Sequence, residues 1–248
     1  MMETRVQFLD VDDRRIAYRL REGGSPTIVF LPGYASDMEG TKALALDAFA
    51  EDRGLAMLRL DYSGTGSSDG EFADGSLGKW VDESQAAAAR LTSGPLIFVG
   101  SSMGGWIALH LALRMPDRVH ALVGIAAAPD FSQWGFSESE KQQIAREGLL
   151  ESENPYGPEP SRMYRAFWES AQQLRLLDGE IAVDCPVRLI HGDKDDDVPL
   201  DVAHRLIDRL RSADVQLLTI KGGGHRLSEA HEIAAILHIV DGLLEPQS

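Results

Sequence analysis

Short apolar runs alternate along this chain with longer amphipathic stretches. The apolar runs predict strands at residues 6–9, 14–20, 27–31, 55–61, 95–99, 119–126, 187–190 and 215–220. The amphipathic stretches predict helices at residues 40–52, 76–91, 106–115 and 228–244. Strands that are apolar throughout are buried on both faces, which requires helices on each side of the sheet. The pattern therefore predicts an α/β fold with a mostly parallel, eight-stranded sheet covered on both faces by helices. The first two strands lie close enough in the chain to form an antiparallel hairpin at one edge.

One segment, residues 129–184, interrupts the alternation. It contains no plausible strand and is dense in aromatic side chains. Ser137 and Glu140 have the spacing of a capping box, which predicts a helix that runs to about residue 150. A second helix is predicted at residues 162–177.

An insertion of this kind after a central strand predicts a small helical lid over a site. The chain then divides into a core, residues 1–128 and 185–248, and a lid, residues 129–184. Most of the aromatic side chains in the lid are expected to pack against one another. Trp134, Phe167 and Trp168 are the candidates for contact with a substrate.

The sequence Gly-x-Ser-x-Gly stands where the predicted strand at 95–99 gives way to a helix. Gly100 and Gly104 flank Ser102 at the two positions where a side chain would clash as strand and helix close up. Such a turn lifts the central hydroxyl clear of the sheet and places it at a helix N-terminus. Ser102 is therefore the predicted nucleophile. Ser101 is the competing serine, but it lacks the flanking glycines.

A serine nucleophile needs a base, and the glycine-rich loop at residues 221–226 supplies the best candidate, His225. This loop follows the last predicted strand, so it can fold an imidazole over the edge of the sheet. The other histidines fall in predicted helices or at strand ends, where structural roles are expected: His110, His120, His191, His204, His231 and His238.

The acid that orients the histidine is expected between the serine and the histidine in chain order. The loop at residues 192–199 is rich in aspartate, and spacing alone does not choose between Asp193, Asp195 and Asp196. The cluster could also suggest a metal site. Carboxylates in one turn without a set of histidine or cysteine ligands are weak support for one, so a solvated turn with one functional acid is the more economical interpretation.

Here the chain resembles the α/β-hydrolase superfamily, whose members frequently carry His-Gly-x-x-Asp-x-x-Val-Pro at this point. In this sequence the motif runs from His191 to Pro199. The resemblance implies that Asp195 is the acid of a Ser-His-Asp triad. It also implies an oxyanion hole formed by the backbone amides of Met103 and Tyr34.

A narrower resemblance extends over most of the core and is weakest across the lid. The chain is similar to the palmitoyl-protein thioesterases, also known as acyl-glucuronide esterases, of the α/β-hydrolase-domain group. The segments that carry this likeness are residues 31–45, 61–70, 77–80, 100–106, 185–199 and 225–226. The resemblance implies a small acyl ester or thioester, or an acylated protein, as the substrate.

Charge and composition restrict the partners and the compartment. The net charge of −15 argues against nucleic acid or an anionic membrane as the main partner. No apolar run has membrane-spanning length, so membrane insertion is not expected. Cys185 is the single cysteine, which excludes an intramolecular disulfide and permits a reducing compartment. Residues 1–10 lack the pattern of a secretory signal, and a cytoplasmic location is expected.

The predicted function is a serine hydrolase that cleaves carboxylic esters or thioesters through an acyl-enzyme, without a metal or organic cofactor. Two alternatives stay open at this point. The same fold hosts small-ligand receptors without turnover, and a cofactor-free perhydrolase would carry the same triad. A dehalogenase is disfavoured, because the turn carries Ser102 rather than an aspartate.

Overall fold

The computed structural model describes residues 4–244, and residues 1–3 and 245–248 of the predicted core lie outside the described residues. The described part contains ten strands. They are β1 (Gln7–Val11), β2 (Arg14–Arg21), β3 (Gly24–Leu31), β4 (Leu55–Leu60), β5 (Leu96–Ser101), β6 (Val119–Ile125), β7 (Leu149–Ser152), β8 (Ser161–Tyr164), β9 (Val187–Gly192) and β10 (Val215–Ile220). All of these except β7 and β8 belong to one eight-stranded sheet.

The order of the strands in the sheet is β1-β2-β4-β3-β5-β6-β9-β10. The predicted antiparallel hairpin is present as β1 and β2, and β2 also runs antiparallel to β4. The remaining pairs of this sheet, β4-β3, β3-β5, β5-β6, β6-β9 and β9-β10, are all parallel. The predicted α/β class and the mostly parallel, eight-stranded sheet are thereby confirmed. Because the carboxyl ends of parallel strands meet at one edge, the loops after β3, β5, β9 and β10 come together there.

Eight α-helices lie within the described residues. They are α1 (Thr41–Arg53), α2 (Leu77–Leu91), α3 (Met103–Arg114), α4 (Phe131–Trp134), α5 (Glu138–Glu147), α6 (Arg165–Gln173), α7 (Leu200–Arg209) and α8 (Ala230–Gly242). α1 and α8 pack on one face of the sheet, against side chains such as Ile28 and Phe30 of β3. α2, α3 and α7 pack on the other face, where Val29 and Leu31 of the same strand point. Successive residues of a strand face opposite sides, so an uninterrupted apolar strand serves both cores.

The segment between β6 and β9 departs from its prediction. It contains α4, α5 and α6, but also an antiparallel hairpin of β7 and β8, so the prediction of a segment without strands is wrong. The predicted capping box of Ser137 and Glu140 is present and opens α5. Gly148, with φ of 84°, ends that helix before Leu149, and the chain turns into β7 instead. Strands of four residues carry almost no periodic signal, which explains why the pattern did not show them.

Asp130 ties the start of this segment to its end. The residue is buried, with 3% exposure, and stands in the left-handed region at φ of 58°. Its two carboxylate oxygens accept hydrogen bonds from the amides of Leu176 and Leu177, each at 2.8 Å. One side chain therefore joins the start of the segment to a stretch of chain beyond α6.

We expect Asp130→Asn to destabilise the protein by about 2–3 kcal/mol, because an amide NH2 would replace one of two buried acceptors that face N–H donors. Urea unfolding measures the loss. Asp178→Asn is the matched control, since Asp178 is exposed and pairs with Arg175 at the surface. The control is expected to change stability by less than about 0.5 kcal/mol. Equal losses in the two variants would contradict this anchoring role.

Candidate active site

Ser102 stands at the sharp turn between β5 and α3, with φ of 53° and ψ of −118°. The turn is possible only because Gly100 and Gly104, two residues before and after Ser102, lack side chains. A Cβ on Gly100 would lie 2.2 Å from the carbonyl oxygen of Gly104. A Cβ on Gly104 would lie 2.0 Å from the carbonyl oxygen of Leu31 in β3. The backbone of α3 thus contacts the backbone of two strands directly, and this close approach requires glycine at both positions.

The strained conformation of Ser102 is held by its own backbone groups. Its amide donates to the carbonyl of Ile125, the last residue of β6, at 2.9 Å. Its carbonyl accepts from Gly105 at 2.9 Å and from Ala128 at 3.1 Å. Strain of this kind persists only where the surrounding structure fixes it, and it is typical of functional sites.

His225 lies beside Ser102, with Nε2 3.1 Å from Oγ. Its loop follows β10 and packs directly on the end of β9, where a Cβ on Gly192 would lie 2.0 Å from the carbonyl oxygen of Gly223. The glycines of this loop therefore allow two backbones to touch, which brings the imidazole over the edge of the sheet. Nδ1 of His225 lies 2.9 Å from Oδ2 of Asp195.

Of the three aspartates that spacing left open, the structure brings Asp195 to the histidine. Its carboxylate is fully buried, and Oδ1 accepts hydrogen bonds from the amides of Asp197 and Val198 at 3.0 and 2.8 Å. Burial alone would raise the pKa of Asp195, but the hydrogen bond and charge of His225 and the Val198 amide outweigh it, so the pKa lies below its usual range. An ionised Asp195 holds the proton of His225 on Nδ1 and leaves Nε2 to accept from the Ser102 hydroxyl.

The other aspartates of this loop have different surroundings. Asp193 is exposed and accepts a hydrogen bond from the Gly222 amide, and Asp196 is also exposed. His191 is buried and its ring contacts the Val198 carbonyl at 2.8 Å, so it supports the loop that carries the acid.

The two amides proposed for an oxyanion hole come from two turns near Ser102. Met103 begins α3, and Tyr34 stands in the turn after β3. A Cβ on Gly33 would lie 3.4 Å from Cβ of Ser102, so that turn passes close to the serine. Within residues 4–244, neither the amide of Met103 nor that of Tyr34 donates to a protein acceptor. Both are thus free to donate to a ligand.

Two buried residues that the sequence analysis did not single out hold the turn after β3 in place. The hydroxyl of Tyr62 donates to the carbonyl of Pro32 at 3.0 Å. The carboxylate of Asp61 accepts from the amides of Met38 and Ser67, at 2.7 and 2.8 Å. The signal that could have identified Asp61 is its place directly after the apolar strand β4, at the edge of the sheet where the site lies.

A cavity of about 680 Å³ opens in front of Ser102 and His225. One part of its wall is apolar and comes from the segment after β6: Ala128, Phe131, Trp134 and Phe136. Trp134 is thus placed where a substrate could touch it, whereas Phe167 and Trp168 are not in the wall. Phe167 is buried among Tyr34, Trp80 and Phe131. The indole of Trp168 donates to the carbonyl of Ser132. Both are packing residues of the segment.

Two further features of the sequence are the aspartate cluster, considered as a metal site, and Cys185. Asp195, Asp197 and His225 present ligand atoms within 4.8 Å of one another, but Asp195 and His225 already bond to each other. Cys185 lies outside the wall of the large cavity, and burial raises the pKa of its thiol to about 11. A thiol with so high a pKa is a poor nucleophile at neutral pH.

With this geometry in view, comparisons with known proteins show the family. The sequence model of the Alpha/beta hydrolase family matches residues 28–236, and the chain belongs to that family. It is 38% identical to the human mitochondrial palmitoyl-protein thioesterase ABHD10, over 99% of this chain and 82% of that protein. The structure of mouse alpha/beta hydrolase domain-containing protein 10 matches it with a TM-score of 0.91 and 37% identity, over 97% of this chain and 98% of the mouse chain. A putative hydrolase from Agrobacterium vitis S4 gives a TM-score of 0.91 and 36% identity, over 98% of this chain and 99% of that one.

These comparisons confirm the resemblance that the motifs indicated, and they correct one expectation. The human, Pongo abelii and Bos taurus relatives are named as mitochondrial proteins, which contradicts the predicted cytoplasmic location. That prediction rested on the composition of residues 1–10 and on the single cysteine. None of the helices between residues 4 and 244 has both the length and the apolar character needed to cross a membrane.

We expect Gly104→Ala to destabilise the protein by about 3 kcal/mol or more, because the added methyl group meets the Leu31 carbonyl, and backbone cannot move aside as a side chain can. Thermal and urea unfolding measure the effect. Gly179→Ala is the control: its added Cβ meets nothing within 4 Å and its backbone is not left-handed. A Gly104→Ala variant as stable as this control would show that α3 does not depend on the contact.

Proposed function

We propose that this protein is a serine hydrolase that cleaves carboxylic esters and thioesters through an acyl-enzyme on Ser102. The observation that carries the proposal is the unbroken row of hydrogen bonds from Ser102 to His225 to Asp195, at 3.1 and 2.9 Å. Ser102 lies on a strained turn, and Ser102 and His225 line an open cavity. Serine, base and orienting acid in this arrangement form a nucleophile that is activated by proton transfer.

The reaction proceeds in two halves. His225 Nε2 takes the proton of the Ser102 hydroxyl as the oxygen attacks the substrate carbonyl, and Asp195 stabilises the imidazolium that forms. The imidazolium then gives its proton to the departing alcohol or thiol, which leaves an acyl ester on Ser102. In the second half His225 takes a proton from water, the water attacks the acyl ester, and the carboxylic acid departs as Ser102 regains its proton.

The amides of Met103 and Tyr34 stabilise the negative charge that develops on the carbonyl oxygen. Each such donor contributes about 3 kcal/mol to lowering the barrier when it is fixed in advance. The Met103 amide is fixed by α3. The Tyr34 amide lies in a turn whose backbone is hydrogen-bonded to the side chains of Tyr62 and Asp61. These two residues therefore act as positioning residues.

The apolar part of the cavity wall is the proposed site of the acyl group. It is formed by residues 128–136, and the segment at 129–184 acts as the lid that was proposed from the sequence. The hydroxyl of Tyr34 donates to the Arg162 carbonyl at 2.9 Å and joins the lid hairpin to the oxyanion turn. The printed name of the human relative, palmitoyl-protein thioesterase, supports acyl thioesters as the substrate class.

The function is tested by kcat/KM on a matched panel, with Ser102→Ala as the blank. The panel holds short and long acyl thioesters, the corresponding oxygen esters and an acyl glucuronide. We expect Ser102→Ala to abolish turnover while its unfolding curve stays close to that of the wild type, because the hydroxyl is the nucleophile and contributes little to packing. A preference for long thioesters would support depalmitoylation, and a preference for the glucuronide or for short esters would support a metabolic esterase.

Three outcomes would overturn the proposal. Turnover that persists in Ser102→Ala would show that the serine is not the nucleophile. A wild-type protein that binds acyl compounds but hydrolyses none would be a receptor on this fold. If hydrogen peroxide diverts most of the acyl group into peracid, the enzyme is a perhydrolase with the same triad.

We expect Asp195→Asn to lower kcat by about 10³–10⁴-fold, because an amide no longer holds the proton of His225 on Nδ1 or stabilises the imidazolium. Asp193→Asn and Asp196→Asn are the matched controls on the same loop, and both are exposed. They are expected to keep kcat within about threefold, since neither contacts the imidazole. Similar losses in all three variants would mean that the loop acts through its overall charge rather than through Asp195.

A further inference from the structure

Two cations without a carboxylate partner stand together in the wall of the active-site cavity. Lys42 lies in the first turn of α1, and Arg226 follows His225 directly. The ammonium group of Lys42 donates a hydrogen bond to the backbone carbonyl of Arg226, which fixes the two residues side by side. Among residues 4–244, neither side chain forms an ion pair with a carboxylate.

Carboxylates also lie near this pair or in the cavity wall, where Glu153 is one of them, and several of them accept hydrogen bonds from neutral donors while keeping their charge. Glu232 attracts Lys42, but one of its carboxylate oxygens accepts from the Glu229 amide as part of the helix cap. In the cavity wall, the carboxylate of Asp37 accepts from the Glu39 amide. The carboxylate of Asp197 accepts from the hydroxyl of Tyr156.

Lys42 is held at an electrostatic cost, which an anion would relieve, and the exposed Arg226 adds its charge beside it. Burial, together with the nearby charge of Arg226, lowers the pKa of Lys42 to about 8. The ammonium is still mostly protonated at neutral pH, so two positive charges face the cavity on a chain whose net charge is −15. The guanidinium of Arg226 lies over the ring of Tyr156, 5.2 Å from its centre, which orients it without neutralising it.

The position of the pair indicates which part of a substrate it meets. His225 gives its proton to the leaving group, so the leaving group must lie on the side of the cavity where His225 and Arg226 stand. The apolar wall at residues 128–136 belongs to the other face of the sheet, together with α2 and α3. Leu227, next to Arg226, packs instead in the core between the sheet and α1 and α8. The acyl group and the leaving group are thus received by opposite walls.

We infer that Lys42 and Arg226 form an anion subsite that selects substrates whose leaving group carries a carboxylate or a phosphate. This inference rests on the proposed function, because it assigns the leaving-group side of the same site. Arginine binds either anion through two parallel hydrogen bonds, and the lysine adds a point charge. A neutral leaving group would offer neither cation a negative charge to pair with.

The test uses thioesters of one acyl group, octanoate, on thiols that differ only in their end group. Mercaptopropionate carries a carboxylate, mercaptopropionamide is its neutral isostere, and mercaptoethyl phosphate and thiocholine complete the set. We expect the wild type to favour an anionic thioester over the neutral one by about tenfold in kcat/KM, as one charge-assisted contact allows. The two anionic thioesters together show whether carboxylate or phosphate fits better.

Variants assign the preference to the pair. Lys42→Gln and Arg226→Gln are each expected to reduce the anionic-to-neutral ratio several-fold, and the double variant is expected to bring it to about one. Arg226→Glu is expected to shift the preference toward thiocholine. Arg162→Gln is the matched control, because Arg162 lines the same cavity but already pairs with Glu151 at 2.8 Å. Its ratio should stay that of the wild type.

Because each ratio is taken within one variant, a general loss of folding or catalysis cancels. An equal kcat/KM for neutral and anionic thioesters in the wild type would overturn the inference while leaving the proposed function intact. A wild-type preference that survives in the double variant would overturn it as well. Calorimetric binding to Ser102→Ala needs no turnover: about tenfold tighter binding of the anionic thioester, lost on Arg226→Gln, supports the subsite, and equal binding refutes it.

Discussion

The site depends on one backbone contact, the approach of the first turn of α3 to the carbonyl of Leu31. Gly104 allows that contact, and Gly100 allows the matching approach of β5 to α3. Together they force Ser102 into its left-handed conformation, point its hydroxyl away from the sheet and leave the Met103 amide without an intrahelical partner. A protein interior is close-packed, so a contact between backbones cannot be loosened gradually, and the geometry of the serine is fixed rather than adjustable.

The other groups of the site lie on loops that are also held by close backbone contacts and by hydrogen bonds to backbone groups. Gly192 touches the loop of His225 backbone to backbone, and Asp195 is tied down by the amides of the residues that follow it. Beneath the turn after β3, buried side chains take the place of glycines, since Tyr62 and Asp61 reach backbone groups of that turn. Each loop is thus anchored at the edge of the parallel sheet, where the strands of the core end together.

The segment between β6 and β9 is attached to the core mainly by side chains. It meets the core through aromatic contacts such as those of Tyr34 and Trp80 with Phe167, and through a short backbone bridge between Ile181 and Leu210. The buried carboxylate of Asp130 ties the two ends of the segment to each other. Its hairpin reaches over the cavity, and Tyr156 at the hairpin contacts both Asp197 and Arg226. Under the proposed function, the core supplies the groups that attack a carbonyl, and the segment and the cation pair line the cavity that receives the substrate.

By itself, the sequence determined the fold class, the main strands and helices along the chain, and Ser102 and His225 as candidates, because these depend on local periodicity and on glycines at fixed spacing. It left Asp193, Asp195 and Asp196 undecided, and a family resemblance had to choose among them. Only the tertiary structure showed that the Asp195 carboxylate meets His225, that Phe167 and Trp168 pack away from the cavity while Trp134 lines it, and that β7 and β8 form a hairpin. It alone placed Lys42 beside Arg226, two residues far apart in the chain. Side-chain direction, short strand pairing and the meeting of distant loops arise from packing between elements, which no local pattern of residues encodes.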